Sequence, residues 1–447
     1  MPAEVNAGAR LDRLPISPFH YRIFWLVGAG MFFDGYDLYV GTAVLPSLLQ
    51  SKFSTLPLNA QFVSFTFIGM TIGALVTGFL GDRFGRRFTY QFNLMIFGLA
   101  SLAAAFAPDM TTLNLLRLVM GLGLGAEIVV GYSTLTEFVP PKTRGRWLAF
   151  MAFLVVSGLP VTTLLGNLII PNFGWRPMFV IAGVGALVVW YLRKSLPESP
   201  RWLEANGRGA EAEAVLSAIE LEAAKAGPLP APAAFAPAAK FNLGSLVQGD
   251  LLRRMLVGSW VLITINTLIF GFVTWLPQFF VAQGLTVTRS LAYTLVIVLG
   301  SPIGCAIGAY CADALGRRPT IIGASILSIV FGLIYPFATD PVVMLPVGFL
   351  LIVSIYVQVA ILFGVYTPEL FPTEVRLRAN GICNTLGRAA TIVSPFIVVS
   401  LFQSYKIAGV LALMIALLLI QIAAVWAWGV EPRARPLESL DAPAPAV

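Results

Sequence analysis

Twelve stretches of this 447-residue chain are apolar for about 18 residues or more, enough for a helix to cross about 30 Å of hydrocarbon. They lie at residues 22–49, 59–81, 88–107, 111–137, 147–170, 176–193, 255–280, 290–312, 319–338, 341–366, 379–403 and 406–429. Only 11% of residues are charged, where a water-soluble domain carries about 25%. No stretch alternates apolar and polar residues for long, which excludes a barrel. The pattern predicts an all-α membrane protein.

The twelve runs fall six and six around a polar stretch, and the halves echo each other. Gly78–Arg87, GFLGDRFGRR, returns as Ala309–Arg318, AYCADALGRR, matching at Asp82/Asp313, Gly85/Gly316, Arg86/Arg317 and Arg87/Arg318. A second echo pairs Glu137/Glu369, Pro140/Pro372, Arg144/Arg376 and Arg146/Arg378. We therefore expect an N-terminal six-helix bundle over residues 1–203, a connector over 204–250 rich in Ala, Pro and charge, and a C-terminal bundle with its tail over 251–447.

Basic residues stay on the cytoplasmic side of a span. With the N-terminus inside, 23 of the 29 Lys and Arg residues lie on the cytoplasmic side and only Lys52, Arg176, Arg289 and Lys406 lie outside; Arg117 and Arg388 remain within spans. Arg193 and Arg254 count among the inner anchors, and His20 reads as an interfacial residue. Both termini are thus expected in the cytoplasm, in an inner membrane, with no cleaved signal peptide. The net charge of +7 then serves insertion into the lipid bilayer, and no nucleic acid partner is expected. Cys305, Cys311 and Cys383 all fall in spans without metal or disulfide spacing.

Twelve spans in two halves, the D-x-x-G-R-R loops after spans 2 and 8 and the polar loop after span 6 resemble the major facilitator superfamily over residues 20–430. Arg117–Ala126, RLVMGLGLGA, looks like its span 4 signature, and Pro197–Leu203, PESPRWL, like the motif ending span 6 in the sugar and organic-ion branches. The antiporter signature is only weakly echoed in span 5, by SGLPVTTLLG over Ser157–Gly166, which favours symport or uniport. The resemblance implies a transporter, not an enzyme, working by alternating access as a monomer. Gly78, Asp82, Gly85, Arg86, Asp313, Gly316 and Arg317, with Glu137, Arg144, Glu369 and Arg376, are the expected gate residues: glycine permits close helix approach, and an acid near a helix end can accept from Arg or free backbone amides. No phosphate-binding loop occurs and no cofactor is expected, so a gradient supplies the energy.

Five ionisable residues remain inside spans: Asp34, Asp37, Arg117, Glu127 and Arg388. A charge at mid-bilayer costs at least about 2.5–3.5 kcal/mol, so each should face a partner or a watery cavity. At about 1.5 Å of rise per residue, Asp34 and Glu127 reach mid-membrane, and Asp37 lies level with Arg117. We expect Asp37 to pair with Arg117, leaving Asp34 and Glu127 to carry protons; a permanent ion-pair network that only fixes packing is the alternative. FFDGYDLYVG, Phe32–Gly41, resembles the first span of aromatic-acid/proton symporters.

Arg388 has no acid within the spans of its own half. Its planar fork suits a carboxylate, and NTLGRAATIVSP, Asn384–Pro395, resembles the corresponding helix of organic-anion carriers; pairing with Asp34 or Glu127 in the empty protein is the other reading. Asn93, Asn266, Trp275, Gln278, Tyr356, Gln358 and Asn384 could complete a pocket for a flat monocarboxylate. The expectation is proton-coupled symport of a small organic anion, an aromatic acid, bound where the bundles meet. A proton/sugar symporter and an organic-cation carrier using the intramembrane acids are the rivals.

Overall fold

A computed structural model of the chain describes residues 5–225, 227–231, 249–338, 340–371 and 376–431. Among them the regular structure is helical throughout, and nine helical stretches are individually long and apolar enough to span a bilayer. One of these, Arg378–Trp428, is two spans, 11 and 12, divided at Lys406 where φ is 56°. Span 1 is divided at Tyr39 into Pro18–Leu38 and Val40–Gln50. Span 3, Arg86–Ala104, is the more polar remaining helix. Twelve membrane helices result.

The other spans are continuous or nearly so. Span 2 is Leu56–Phe84, span 4 Met110–Phe138, span 5 Pro141–Phe173 and span 6 Arg176–Leu192. Span 7 runs Gly249–Gly271, breaks at Phe272, and resumes as Leu276–Ala282. Span 8 is Val287–Val298 with Gly300–Ala314, span 9 Arg317–Ile334, and span 10 Pro341–Ile361, ending in a π-helical turn, Leu362–Tyr366. Large apolar side chains such as Leu75, Phe106, Tyr310 and Phe337 stay exposed, because lipid is their solvent.

The duplication visible in the loops extends to the packing. Side chains at Gly69 and Gly73 of span 2 would run into the carbonyls of Leu118 and Leu122 of span 4. Exactly one repeat later in number, 231 residues on, Gly300 and Gly304 of span 8 face the carbonyls of Phe349 and Val353 of span 10. Small residues let membrane helices approach until backbones touch. Gly121 and Gly125, the glycines of RLVMGLGLGA, do the same toward Thr66 and Met70. The breaks at Tyr39 and Phe272 also occupy equivalent places in the two halves.

Two compact units emerge. One gathers the described residues of Met1–Leu38, Phe65–Gly158 and Arg176–Pro237; the other gathers those of Tyr39–Ser64, Leu159–Trp175 and Ala238–Val447. Spans 1, 2 and 5 therefore contribute to both. Within the second unit, Asn59 of span 2 donates to Gln278 of span 7 at 2.7 Å, and both residues are fully buried.

In the first unit, the described part of the polar stretch after span 6 includes two helices. Helices Pro200–Ala205 and Gly209–Ala224 hold a short N-terminal helix, Ala7–Asp12, whose first amides donate to Glu204 at 2.6 and 2.8 Å. Arg10 binds Glu213 and Glu220, and it holds both carboxyls below their ordinary range. Asp12 accepts from Arg144 at 3.3 Å and from Arg201 at 2.7 Å.

Candidate functional site

Each half carries the same latch. Gly85 and Gly316 take φ of 92° and 104°, a region costly for other residues, and so turn the chain directly into spans 3 and 9. The free amides at those helix starts need acceptors. Glu198 accepts from the Arg86 and Arg87 amides at 2.9 and 3.1 Å; Glu431 accepts from those of Arg317 and Arg318 at 3.1 and 2.8 Å. Burial pushes the Glu198 carboxyl up, while the backbone N–H groups pull it down.

The latch arginines complete the pattern. Arg86 pairs with Glu137 at 3.1 Å, and Arg317 pairs with Glu369 at 3.0 Å. Arg87 donates to the Lys194 carbonyl, and Arg318 to the Val425 and Trp426 carbonyls. Arg144 is tied instead to Asp12 and the Val139 carbonyl. The side chains of Gly78, Asp82, Asp313 and Arg376 lie outside the described residues. Glu198 and Glu431 were not singled out from sequence, although PESPR and EPRAR stand in equivalent places after spans 6 and 12.

Inside the first unit the buried charges form two centres. Arg117 donates to Asp37 at 2.5 Å and to the Thr66 hydroxyl at 3.0 Å, with both charged side chains almost fully buried. This is the pair anticipated from helical rise, which puts the two residues at one depth. Asp34, one turn earlier and 1% exposed, has no hydrogen-bond partner on either carboxylate oxygen among the described residues. The charged groups acting on it are Glu127, Arg193 and Asp37.

Arg193 corrects the sequence reading. Counted there as a headgroup anchor, it is 1% exposed and ion-paired with Glu127. Its guanidinium also donates to the Leu26 and Val27 carbonyls at 2.8 and 2.7 Å and lies 5.7 Å from the centre of the Tyr90 ring. A long flexible stem lets a residue at a helix end reach back into a bundle, and that reach is invisible in one dimension. Arg254, likewise counted as an anchor, is 3% exposed and bonded to Asp250. His20, read as interfacial, is buried with its Nδ1 3.0 Å from the Ser17 hydroxyl.

The second unit holds the remaining candidates. The Arg388 side chain makes no hydrogen bond or ion pair among the described residues, and it is only partly buried. Beside it, a side chain at Gly387 would meet the Asn266 amide at 2.9 Å, so spans 7 and 11 touch at this level. Asn266 and Phe270 share a helix face at i, i+4. Phe270 stacks on Tyr39 with ring centres 6.2 Å apart, and Tyr39 and Tyr356 bring their hydroxyls to 3.5 Å. Phe270, Tyr39 and Tyr356 thus form one connected run of contacts, with Asn266 one turn before Phe270 and Arg388 next in sequence to the Gly387 that faces Asn266.

The other nominated residues lie apart from that run. Asn384 bonds Asn380, and Gln278 bonds Asn59. Trp275 is fully buried beside Phe279, and among the described residues neither its indole N–H nor the Asn93 amide nitrogen in the first unit has a hydrogen-bond partner. Gln358 belongs to a buried amide and hydroxyl knot, accepting from Gln421 at 2.7 Å and from Ser325 at 3.1 Å. Tyr39 was missed from sequence because only the helix break turns it onto Phe270.

Duplicated six-helix halves with paired latches match a known family. The family described as the Major Facilitator Superfamily matches residues 27–395. The chain belongs to this superfamily. Among its relatives, the inner membrane metabolite transport protein YdjE of Escherichia coli (strain K12) is 38% identical over 444 residues, spanning 97% of this chain and 98% of that protein. The niacin transporter NiaP of Acinetobacter baylyi is 32% identical over 440 residues, spanning 97% and 99%. The inward open conformation of the xylose transporter XylE from E. coli superposes with a TM-score of 0.72 at 19% identity, covering 95% of this chain and 99% of that one. That last likeness concerns the fold. This superfamily member is a membrane transporter of small molecules, not an enzyme.

Proposed function

We propose that this facilitator is a proton-coupled symporter of a small aromatic monocarboxylate, working as a monomer with both termini cytoplasmic in an inner membrane. The observation carrying the reading is Arg388: a guanidinium in span 11 without a partner among the described residues, next in sequence to the Gly387 that packs on Asn266 of span 7, one turn before Phe270. A partnerless cation in a span is costly, and a carboxylate answers its planar fork with two parallel bonds. The stacked rings of Phe270 and Tyr39 in the same unit suit an aromatic body. The niacin transporter relative handles an acid of this chemistry.

On the proton side, Asp37 is ion-paired with Arg117 and Glu127 with Arg193, which leaves Asp34 as the intramembrane carboxyl without an ion pair or hydrogen bond among the described residues. We assign the coupled proton to Asp34. An organic-cation carrier would need free acids facing its substrate, and two of the three intramembrane acids are already paired. The sugar alternative draws on the PESPRWL motif, the span 4 signature RLVMGLGLGA and the fold, and a fold is shared by many unrelated substrates.

Competition tests the substrate class. In cells expressing the protein, uptake of labelled nicotinate should be suppressed by excess unlabelled nicotinate or benzoate and left unchanged by nicotinamide, xylose or choline. Suppression by nicotinamide equal to that by nicotinate would remove the carboxylate, and with it Arg388, from recognition.

A further inference from the structure

The two halves treat one buried position differently. In the first unit Glu127 of span 4 meets Arg193, reaching back from the end of span 6. In the second unit the equivalent of Glu127, 231 residues on, is Gln358 of span 10, and it meets Gln421 of span 12 at 2.7 Å. Asp34 has a neutral counterpart as well, since Asn266 stands 232 residues after it. At that position the fold therefore places a carboxylate in one half and an amide in the other, each with a partner from near the last span of its half. Packing alone does not call for the charges, and a buried pair is a weak source of stability against neutral replacements of similar volume.

We propose that Arg193 is the shared counter-ion that couples proton movement to transport, holding Glu127 while Asp34 is protonated and turning to Asp34 when that carboxyl releases its proton to water. This rests on the symport reading above. The guanidinium stays charged throughout; only the acceptor of its hydrogen bonds changes. Three features favour such an exchange. Among the described residues Asp34 lacks a bond on both oxygens and Glu127 on Oε2, so two acids compete for one base. Gly30 leaves the space the guanidinium occupies, because a Cβ there would overlap Arg193 and come 3.0 Å from Glu127 Oε1. The carbonyls of Leu26 and Val27 anchor Arg193 to span 1, the helix that carries Asp34.

The groups around the exchange are few. Span 1 supplies Asp34 and Asp37, span 3 supplies Tyr90, span 4 supplies Glu127 and Arg117, and Arg87 and Glu198 act on Tyr90 from the latch. Span 5 faces Gly28 and Gly35 of span 1 with Met151, Leu154 and Val155. Arg193 is accordingly a positioning residue, acting on the substrate only through the proton carrier.

The test copies the second half into the first. Glu127→Gln with Arg193→Gln recreates the amide pair and is compared in proteoliposomes with wild type and with Arg193→Gln alone. We expect the double variant to elute as a single species and to exchange labelled nicotinate at zero gradient, while losing both gradient-driven accumulation and the pH dependence of uptake. Accumulation with the wild-type pH profile in the double variant would overturn the proposal, and so would aggregation of that variant, which would make the charges structural. Wild type that binds no carboxylate or concentrates none under a gradient would instead remove the symport reading, and this inference with it.

Discussion

Arg388→Ala is expected to abolish concentrative uptake of aromatic acids while the protein still folds. The side chain makes no bond among the described residues, so its removal strips no internal pair and takes a lone cation out of a membrane span. The loss falls on substrate. One hydrogen bond to a charged group is worth about 1.5–3 kcal/mol, and 1.4 kcal/mol is about tenfold in affinity. Losing even one such bond should lower the kcat/KM of nicotinate uptake by about 10- to 100-fold, and losing both arms of the fork by more. Arg388→Lys keeps the charge and loses the fork, and should fall between. Initial rates against substrate concentration check this; a wild-type kcat/KM in Arg388→Ala would take the residue out of the site.

The second large effect concerns stability. Arg117 and Asp37 are almost fully buried and bonded at 2.5 Å, so Arg117→Ala leaves an uncompensated carboxylate deep in the membrane. Breaking a buried pair from one side costs about 3–5 kcal/mol. We expect a clear fall in the Tm of the purified protein, followed by tryptophan fluorescence in detergent. Adding Asp37→Leu to Arg117→Met, which replaces the pair by apolar groups, should recover most of that loss without recovering transport. A single variant melting with wild type would show that the pair contributes nothing to the folded state.

These contrasting expectations mark what a linear reading could and could not see. Span number and the duplication were legible because lipid demands unbroken apolar length and because gate motifs recur at a fixed interval. Asp37 with Arg117 was legible because helical rise places them at one depth. Arg193 was hidden by its address: at the end of span 6 a basic residue ordinarily anchors to headgroups, and only the folded side chain shows it turned inward onto Glu127. Tyr39 was hidden because the break in span 1 decides which way it faces.

Glu431 is a different lesson. The capping role of PESPRWL appears only when Glu198 is seen on the amides of Arg86 and Arg87, and the same carboxylate then explains Glu431 on Arg317 and Arg318. Gln358, nominated for substrate from its polarity in a span, turns out to bond Ser325, Ser328 and Gln421. A polar residue in a membrane helix announces that it needs a partner without saying which.

The central claim, that an aromatic carboxylate and a proton move together, is tested most directly by following external pH as substrate is added. Wild-type protein in proteoliposomes, weakly buffered and with the inside alkaline, should alkalinise the medium when nicotinate or benzoate is supplied and should concentrate the labelled acid. Arg388→Ala should do neither. Uptake that proceeds equally with and without the gradient, and leaves external pH unchanged, would contradict the account.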